Sequence, residues 1–227
     1  MTRTAPLNVG ILLGSARVNS NGNGIASWVK SHLDTMLKTS DATTLGKTIF
    51  LPLRTYPLPL GPMSDDLVPK STPLEDSKAP IAEDGIVAYA YLNQRDKDWS
   101  RVVQSLHGLV IVTPQYNWSI PGELKNTIDH LYAEWVGLPI ATVSYGFAGG
   151  NKAVAALQPI LEAIGAKQVS VGQVMVSVPY TYIQGAERMK GDEELLGQYE
   201  AVLREEMGKL IAAATERQGE KSLGGAK

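Results

Sequence analysis

Three segments of this chain set polar, glycine-rich and aromatic residues directly after short apolar runs. The first is Gly14-Ser15-Ala16-Arg17-Val18-Asn19-Ser20-Asn21-Gly22-Asn23-Gly24, between the apolar run Val9–Leu13 and a helical pattern starting at Ile25. A strand that runs into a helix N-terminus presents unpaired amides and the positive end of the helix dipole, a natural anion site. Ser15 adds a hydroxyl donor, and Arg17 adds a guanidinium whose fork matches phosphate. Gly22 and Gly24 let the backbone approach a ligand. This is not a P-loop, because no Gly-Lys-Ser/Thr follows. Nor is it a dinucleotide fingerprint: no G-x-G-x-x-G is present, and the second apolar run ends in Leu53-Arg54 rather than in a ribose-binding acid. The alternative is a polar turn capped by Ser or Asn.

The second segment runs from Thr113 through Pro114, Gln115, Tyr116, Asn117, Trp118 and Ser119 to Gly122. Its prolines stiffen it. Tyr116 and Trp118 lie outside any core pattern, while Gln115 and Asn117 bring amides that both donate and accept. A planar heterocycle with carbonyls and ring nitrogens suits such a strip. The alternative is a cover over the sheet end or a subunit contact. The third segment is Ser144-Tyr145-Gly146-Phe147-Ala148-Gly149-Gly150-Asn151. Its glycines place backbone amides where they stabilise charge on a ring carbonyl edge, such as that of a reduced flavin. The alternative is a glycine-rich turn into a helix. Together the segments describe one ligand, with a terminal phosphate at the first and a flat polar ring between the other two. FMN has this form, whereas ATP would lack its lysine and its metal carboxylates here.

The scaffold that must position these segments is legible in the hydrophobic pattern. Apolar runs at Val9–Leu13 and Leu109–Thr113 read as buried parallel strands, and Ile49–Leu53, Ile140–Tyr145 and Val169–Val178 as the second, fourth and fifth strands. Helical periodicity falls between them: Ile25 to Lys38, Trp99 to Leu106, Gly122 to Trp135, Asn151 to Ile164 and Leu195 to Thr215. Strands alternating with helices give an α/β fold, and five strands suggest a flavodoxin-like doubly wound five-stranded parallel sheet of order 2-1-3-4-5. Ligands of such sheets bind outside the strands' carboxyl ends, where the order reverses between strands 1 and 3. All three segments fall at that edge. A single domain over residues 1–227 is expected, with a proline-rich insertion at about 52–80 and a loose tail at about 218–227. The insertion, Pro52 to Pro80, reads as an irregular surface loop beside the site.

Composition removes other chemistries. The chain has 227 residues and no cysteine, which excludes disulfides, thiolate metal sites, iron–sulfur clusters and cysteine nucleophiles. Its histidines, at 32, 107 and 130, share no metal-binding spacing, and no metal is expected. A formal net charge of −2 gives no footprint for nucleic acid. No apolar run approaches the ~20 residues that span a bilayer. The run VGILL reads as a strand rather than a signal peptide, so a cytoplasmic protein is expected. No catalytic acid or base is named, since a flavin would carry the chemistry. Tyr116 is the candidate for a substrate-facing hydroxyl. His107 falls at the opposite sheet end and His130 within a helix, both in structural roles.

At these residues the sequence resembles the NADPH-dependent FMN reductase family of flavodoxin-like quinone and azo-dye reductases. The matching pieces are Val9-Gly10-Ile11 with Gly14-Ser15-Ala16-Arg17, then Thr113 to Asn117, then Pro121-Gly122 with Leu124-Lys125-Asn126 and Asp129. Ser144-Tyr145-Gly146 with Gly149-Gly150 completes the set, over about residues 7–180. The resemblance implies an FMN phosphate held by Ser15, Arg17 and the stretch Asn21, Gly22, Asn23, Gly24 and Ile25. It implies the ring against Pro114, Gln115, Tyr116 and Asn117, with Ser144, Tyr145, Gly146, Gly149 and Gly150 at its far edge. It further implies hydride transfer from NADPH or NADH through FMN to a quinone, azo compound, flavin or similar small acceptor. Homodimers or homotetramers with FMN near the subunit boundary are implied too, with Leu131, Tyr132 and Trp135 as a subunit contact. The insertion, the Trp118-Ser119 pair and the extended C-terminal helix depart from the pattern. A flavodoxin-type electron carrier without its own NAD(P)H oxidation is the rival reading, but strong acidity would be expected of a carrier steering to protein partners. A phosphate-binding regulatory protein without flavin is a third.

Overall fold

In β1 (Asn8–Leu13), Val9, Ile11 and Leu13 pack into one apolar cluster while Leu12 packs into another, and all four are buried. A strand with apolar residues on both faces needs a helical layer on each side. The computed structural model supplies both, and it describes residues 6–39, 46–63, 68–75 and 86–224, with side chains through 220. The five strands are β1, β2 (Lys47–Pro52), β3 (Gly108–Pro114), β4 (Pro139–Gly146) and β5 (Lys167–Ser177). They form one parallel sheet in the order β2-β1-β3-β4-β5, the flavodoxin-like order expected.

Each face of the sheet has its own core. On one face Val110, Val112, Val143 and Val174 meet Ile25, Val29 and Leu33 of α1 (Asn21–Thr39) and Leu203, Met207 and Leu210 of α6 (Gly197–Gly224). On the other, Leu109, Ile111 and Ile140 meet α2 (Gln94–Gln104), α3 (Gly122–Asp129) and α4 (Asn151–Ala163) through Trp99, Leu124, Ile128 and Leu157. A short helix α5 (Tyr180–Gln184) follows β5. The period-2 alternation along each strand divides its residues between the two layers.

Several boundaries differ from the sequence reading. Helix α2 begins at Gln94, because Asn93 caps it by accepting from the Arg95 amide at 2.8 Å. Its charged first turn masks this start. The helix expected from Gly122 to Trp135 ends at Asp129, and a separate 3-10 turn, Ala133–Trp135, follows. His130 is therefore a C-cap rather than a mid-helix residue. It is buried, its Nδ1 lies 2.9 Å from Asp96 Oδ1, and its Nε2 lies 2.9 Å from the Gly61 carbonyl. Leu131 and Trp135 are 2 % and 1 % exposed, so these two side chains belong to this chain's own core rather than to the expected subunit contact, while Tyr132, the third residue of that contact, is half-buried. Trp135 Nε1 donates to the Ile128 carbonyl at 3.0 Å, and its ring stands edge-on to Trp99 at 6.2 Å. Helix α6 continues to Gly224, so most of the expected tail is helical, while 225–227 lie outside the described residues.

The proline-rich insertion is packed along its first part. Leu58 and Leu60 are buried, Arg95 donates to the carbonyls of Pro57 and Pro59, and Asn126 donates to those of Leu60 and Gly61. Residues 64–67 and 76–80 of the insertion lie outside the described residues. Among the described residues no helix is long and apolar enough to cross a membrane. Trp135→Ala is expected to lower the unfolding free energy by about 3–5 kcal/mol, the cost of emptying a large aromatic site. Urea unfolding with an unchanged m-value checks this.

Candidate functional site

The loops after β1, β3 and β4 converge on a cavity of about 410 Å³. That lies within the ~300–1,000 Å³ usual for small-molecule sites. The first loop contributes Arg17, Asn19, Ser20 and Asn21, and the second contributes Pro114, Gln115 and Tyr116. The third contributes Tyr145, Gly146, Phe147, Ala148 and Gly150. A fourth wall, unforeseen from sequence, comes from beyond β5: Val178, Tyr182, Ile183 and Arg188.

The first two loops are locked together. Ser15 Oγ and Tyr116 OH lie 2.7 Å apart, the Arg17 amide donates to Ser15 Oγ at 3.3 Å, and the Arg17 guanidinium sits 4.6 Å from the Tyr116 ring centre. Ser20 is the N-cap of α1: its Oγ accepts from the Gly22 amide at 3.1 Å and its carbonyl from the Asn23 amide at 3.2 Å. The same hydroxyl lies 3.2 Å from Tyr145 OH, which joins the third loop to the first. Burial pushes the Tyr145 phenol well above its ordinary range, so it stays neutral at pH 7 and serves as a hydrogen-bonding group.

The glycines of the first loop answer to protein neighbours. A Cβ at Gly22 would run into Tyr145 OH, and one at Gly24 would run into the Met189 carbonyl. These glycines, expected to admit a ligand, instead admit this chain's own Tyr145 and Met189. In the second loop, Tyr116 and Ser119 exchange backbone hydrogen bonds of 2.9 and 2.8 Å around Asn117 and Trp118, whose φ angles are 45° and 66°. This tight turn in the left-handed region directs Asn117 and Trp118 to the surface. Trp118, 75 % exposed, carries Lys152 Nζ at 4.7 Å from its ring centre. Gln115 Oε1 accepts from the Lys152 amide at 2.9 Å and so satisfies the start of α4. In the third loop, buried Ser144 donates to the Gly149 carbonyl at 2.6 Å. Gly150, at φ 79°, is pressed against the Tyr145 backbone.

Of the residues named from sequence, Arg17, Asn21, Pro114, Gln115, Tyr116, Tyr145, Gly146 and Gly150 line the cavity. Ser15 stands behind Tyr116. Gly22, Asn23, Gly24, Ile25, Asn117, Ser144 and Gly149 lie outside the lining, and Ile25 is wholly within the core. Asn23 is occupied with the Val18 carbonyl at 3.0 Å. Sequence reasoning passed over Arg188 and its neighbours. The one available signal was that a loop after β5 leaves from the same sheet edge. The donor set fits a phosphorylated, flat-ringed ligand. Guanidiniums, a hydroxyl and an amide gather by the α1 N-terminus, while Pro114, Tyr116 and the Gly146–Gly150 turn offer broad, mixed surfaces beside it.

A doubly wound sheet with such a cavity at its switch point defines a flavodoxin-like mononucleotide-binding protein. The family model described as NADPH-dependent FMN reductase matches residues 7–180, about three quarters of the chain. The chain belongs to the NADPH-dependent FMN reductase family. It is 36 % identical over 173 residues to the NAD(P)H-dependent FMN reductase LOT6 of Saccharomyces cerevisiae, covering 76 % of this chain and 82 % of that one. It is 29 % identical over 174 residues to the NAD(P)H-dependent FMN reductase ntnL of Nectria sp., covering 74 % of each. Among solved structures, an oxidoreductase from Corynebacterium diphtheriae shares the fold, with a TM-score of 0.58 at 15 % identity over 93 % of this chain and 98 % of that one.

Gly24→Ala is expected to destabilise the protein by about 1–3 kcal/mol through overpacking against Met189, despite the ~1 kcal/mol that alanine gains in a helix. Gly61→Ala, with nothing within 4 Å of the added carbon, stays within about 0.5 kcal/mol. Thermal unfolding of the two variants side by side makes the comparison.

Proposed function

We propose that FMN occupies this cavity, and that the protein passes a hydride from NADPH or NADH through it to a small-molecule acceptor such as a quinone. The observation that carries the reading is the convergence of Arg17, Tyr116 and Gly150 on one cavity of suitable size. FMN, when bound, supplies the hydride and electron chemistry. This chain's residues bind and orient. Arg17, Ser20 and Asn21, with the α1 N-terminus, form a cationic, hydrogen-bonding end for the phosphate. Ser15 holds the Tyr116 hydroxyl, which fixes the ring of Tyr116 and with it the second loop's inner surface. The Gly146–Gly150 turn brings main chain to the far edge, where oriented amides favour negative charge. Phe147, 74 % exposed, borders the opening and narrows the approach for donor and acceptor.

The residues outside the lining keep a part in this reading as builders of the loops. Ser144 and Gly149 shape the third, while Gly22 and Gly24 let the first close against its neighbours. One domain carries the whole activity. A cytoplasmic homodimer or homotetramer is proposed with it, supported by exposed Trp118, Phe147 and Tyr180 on segments flanking the opening.

Stopped-flow mixing of the FMN-loaded protein with NADPH without oxygen tests the activity. The visible flavin absorbance is expected to bleach without any auxiliary reductase. Persistence of the colour would make the chain an electron carrier instead, and unquenched FMN fluorescence on mixing with the protein would remove flavin from the account. Arg17→Ala is expected to weaken FMN binding about 10- to 100-fold, the value of one charge-assisted hydrogen bond. Fluorescence titration measures it.

A further inference from the structure

The fourth wall of the cavity lies almost wholly beyond residues 7–180, the span shared with the family. It is bound to the first loop by reciprocal contacts: Asn21 Nδ2 donates to the Tyr182 carbonyl at 3.0 Å, and the Met189 amide donates to Asn21 Oδ1 at 2.9 Å. A Cβ at Gly191 would run into the Gly24 carbonyl, so the two backbones touch directly. Arg188 completes the attachment. Its Nε donates to the Asn19 carbonyl at 3.3 Å, and its Nη1 reaches the carbonyls of Tyr182 at 3.2 Å, Gly185 at 2.6 Å and Glu187 at 2.6 Å.

Every one of these acceptors is a neutral main-chain oxygen. Among the described residues no carboxylate pairs with Arg188, and Nη2 takes part in none of these bonds. Half-buried Arg188 lines the same cavity as the more exposed Arg17, and among the described lining residues none is acidic. Like charges that share one cavity repel, and an anion relieves that repulsion. A phosphate monoester carries about −1.5 to −2 charges at pH 7, enough to balance both.

We propose that Arg188 reads the phosphate of the flavin and makes this site select FMN over riboflavin, from a position beyond residues 7–180, the span that the family model matches. The proposal rests on the FMN reading of the cavity. The four carbonyls position the guanidinium beside Asn19, at the entry to α1, so the flavin's phosphate rather than that of the hydride donor is the one in reach.

The test titrates apo wild type, Arg188→Ala and Arg188→Lys with FMN and with riboflavin, following quenching of flavin fluorescence. Arg188→Ala is expected to weaken FMN about 10- to 100-fold. It should leave riboflavin within about twofold, and Arg188→Lys should recover part of the FMN affinity. Equal losses for both flavins would reduce Arg188 to a staple for the wall, and unchanged affinities would deny it any part; either result overturns the proposal. So would a variant in which only the preference for NADPH over NADH falls, since the phosphate read would then be the donor's. A wild type that quenches neither flavin would overturn the FMN reading itself, and the role of Arg188 with it.

Discussion

The hydrogen bond between Ser15 and Tyr116 joins loops 101 residues apart across the point where the sheet reverses its order. In a doubly wound sheet the connections after β1 and β3 depart to opposite faces, which leaves a crevice between them. A crevice alone is only a gap in the surface. The Ser15–Tyr116 contact, with Arg17 laid over the same ring, fixes its width and sets a cation at its edge. Ser20 and Tyr145 repeat the device between the first and third loops. Each contact joins side chains on different loops, so the cavity keeps its shape through cross-links rather than through stiffness in any one segment.

Charge gives that shape its chemical meaning. The chain as a whole is close to neutral, with a net charge of −2, yet the described residues place two guanidiniums in this one cavity. One of them, Arg188, is spread over main-chain carbonyls that orient it without neutralising it. Buried or half-buried cations normally find carboxylates, as Lys125 does with Asp129 on α3. In the proposed reading the flavin phosphate supplies the anion that Arg188 lacks among the described residues. Tyr145, also in the cavity lining, stays neutral and holds its hydrogen bond to Ser20 without adding a competing charge.

The centre of the sheet was readable from sequence because β1, β3 and β4 are buried on both faces, and continuous apolar runs leave little else for them to be; the edge strands β2 and β5 are only partly buried. The order of the strands and the edge bearing the site then followed from general rules of α/β folds. What stayed hidden depends on contacts between a side chain and distant main chain, which leave no pattern in composition or spacing. The insertion is an example: its prolines announce irregular backbone, but its packing comes from Arg95, Asn126 and His130 reaching its carbonyls. Arg188 was invisible for the same reason. The glycines at 22 and 24 read from sequence as places where a ligand comes close, but their nearest neighbours are Tyr145 and Met189 of the same chain, a distant contact that leaves no local pattern. Helix ends were also obscure where a polar cap precedes a charged turn, as at Asn93.

In the proposed reading the three loops form one site, with a phosphate at the first and a ring between the second and third. A crystal structure of the protein grown with FMN decides whether they do. The phosphate is expected within hydrogen-bonding distance of Arg17 and the α1 N-terminus, and the ring against Pro114 and Tyr116. A flavin lodged elsewhere, such as in the smaller groove lined by Leu53 and Asn126, would contradict this.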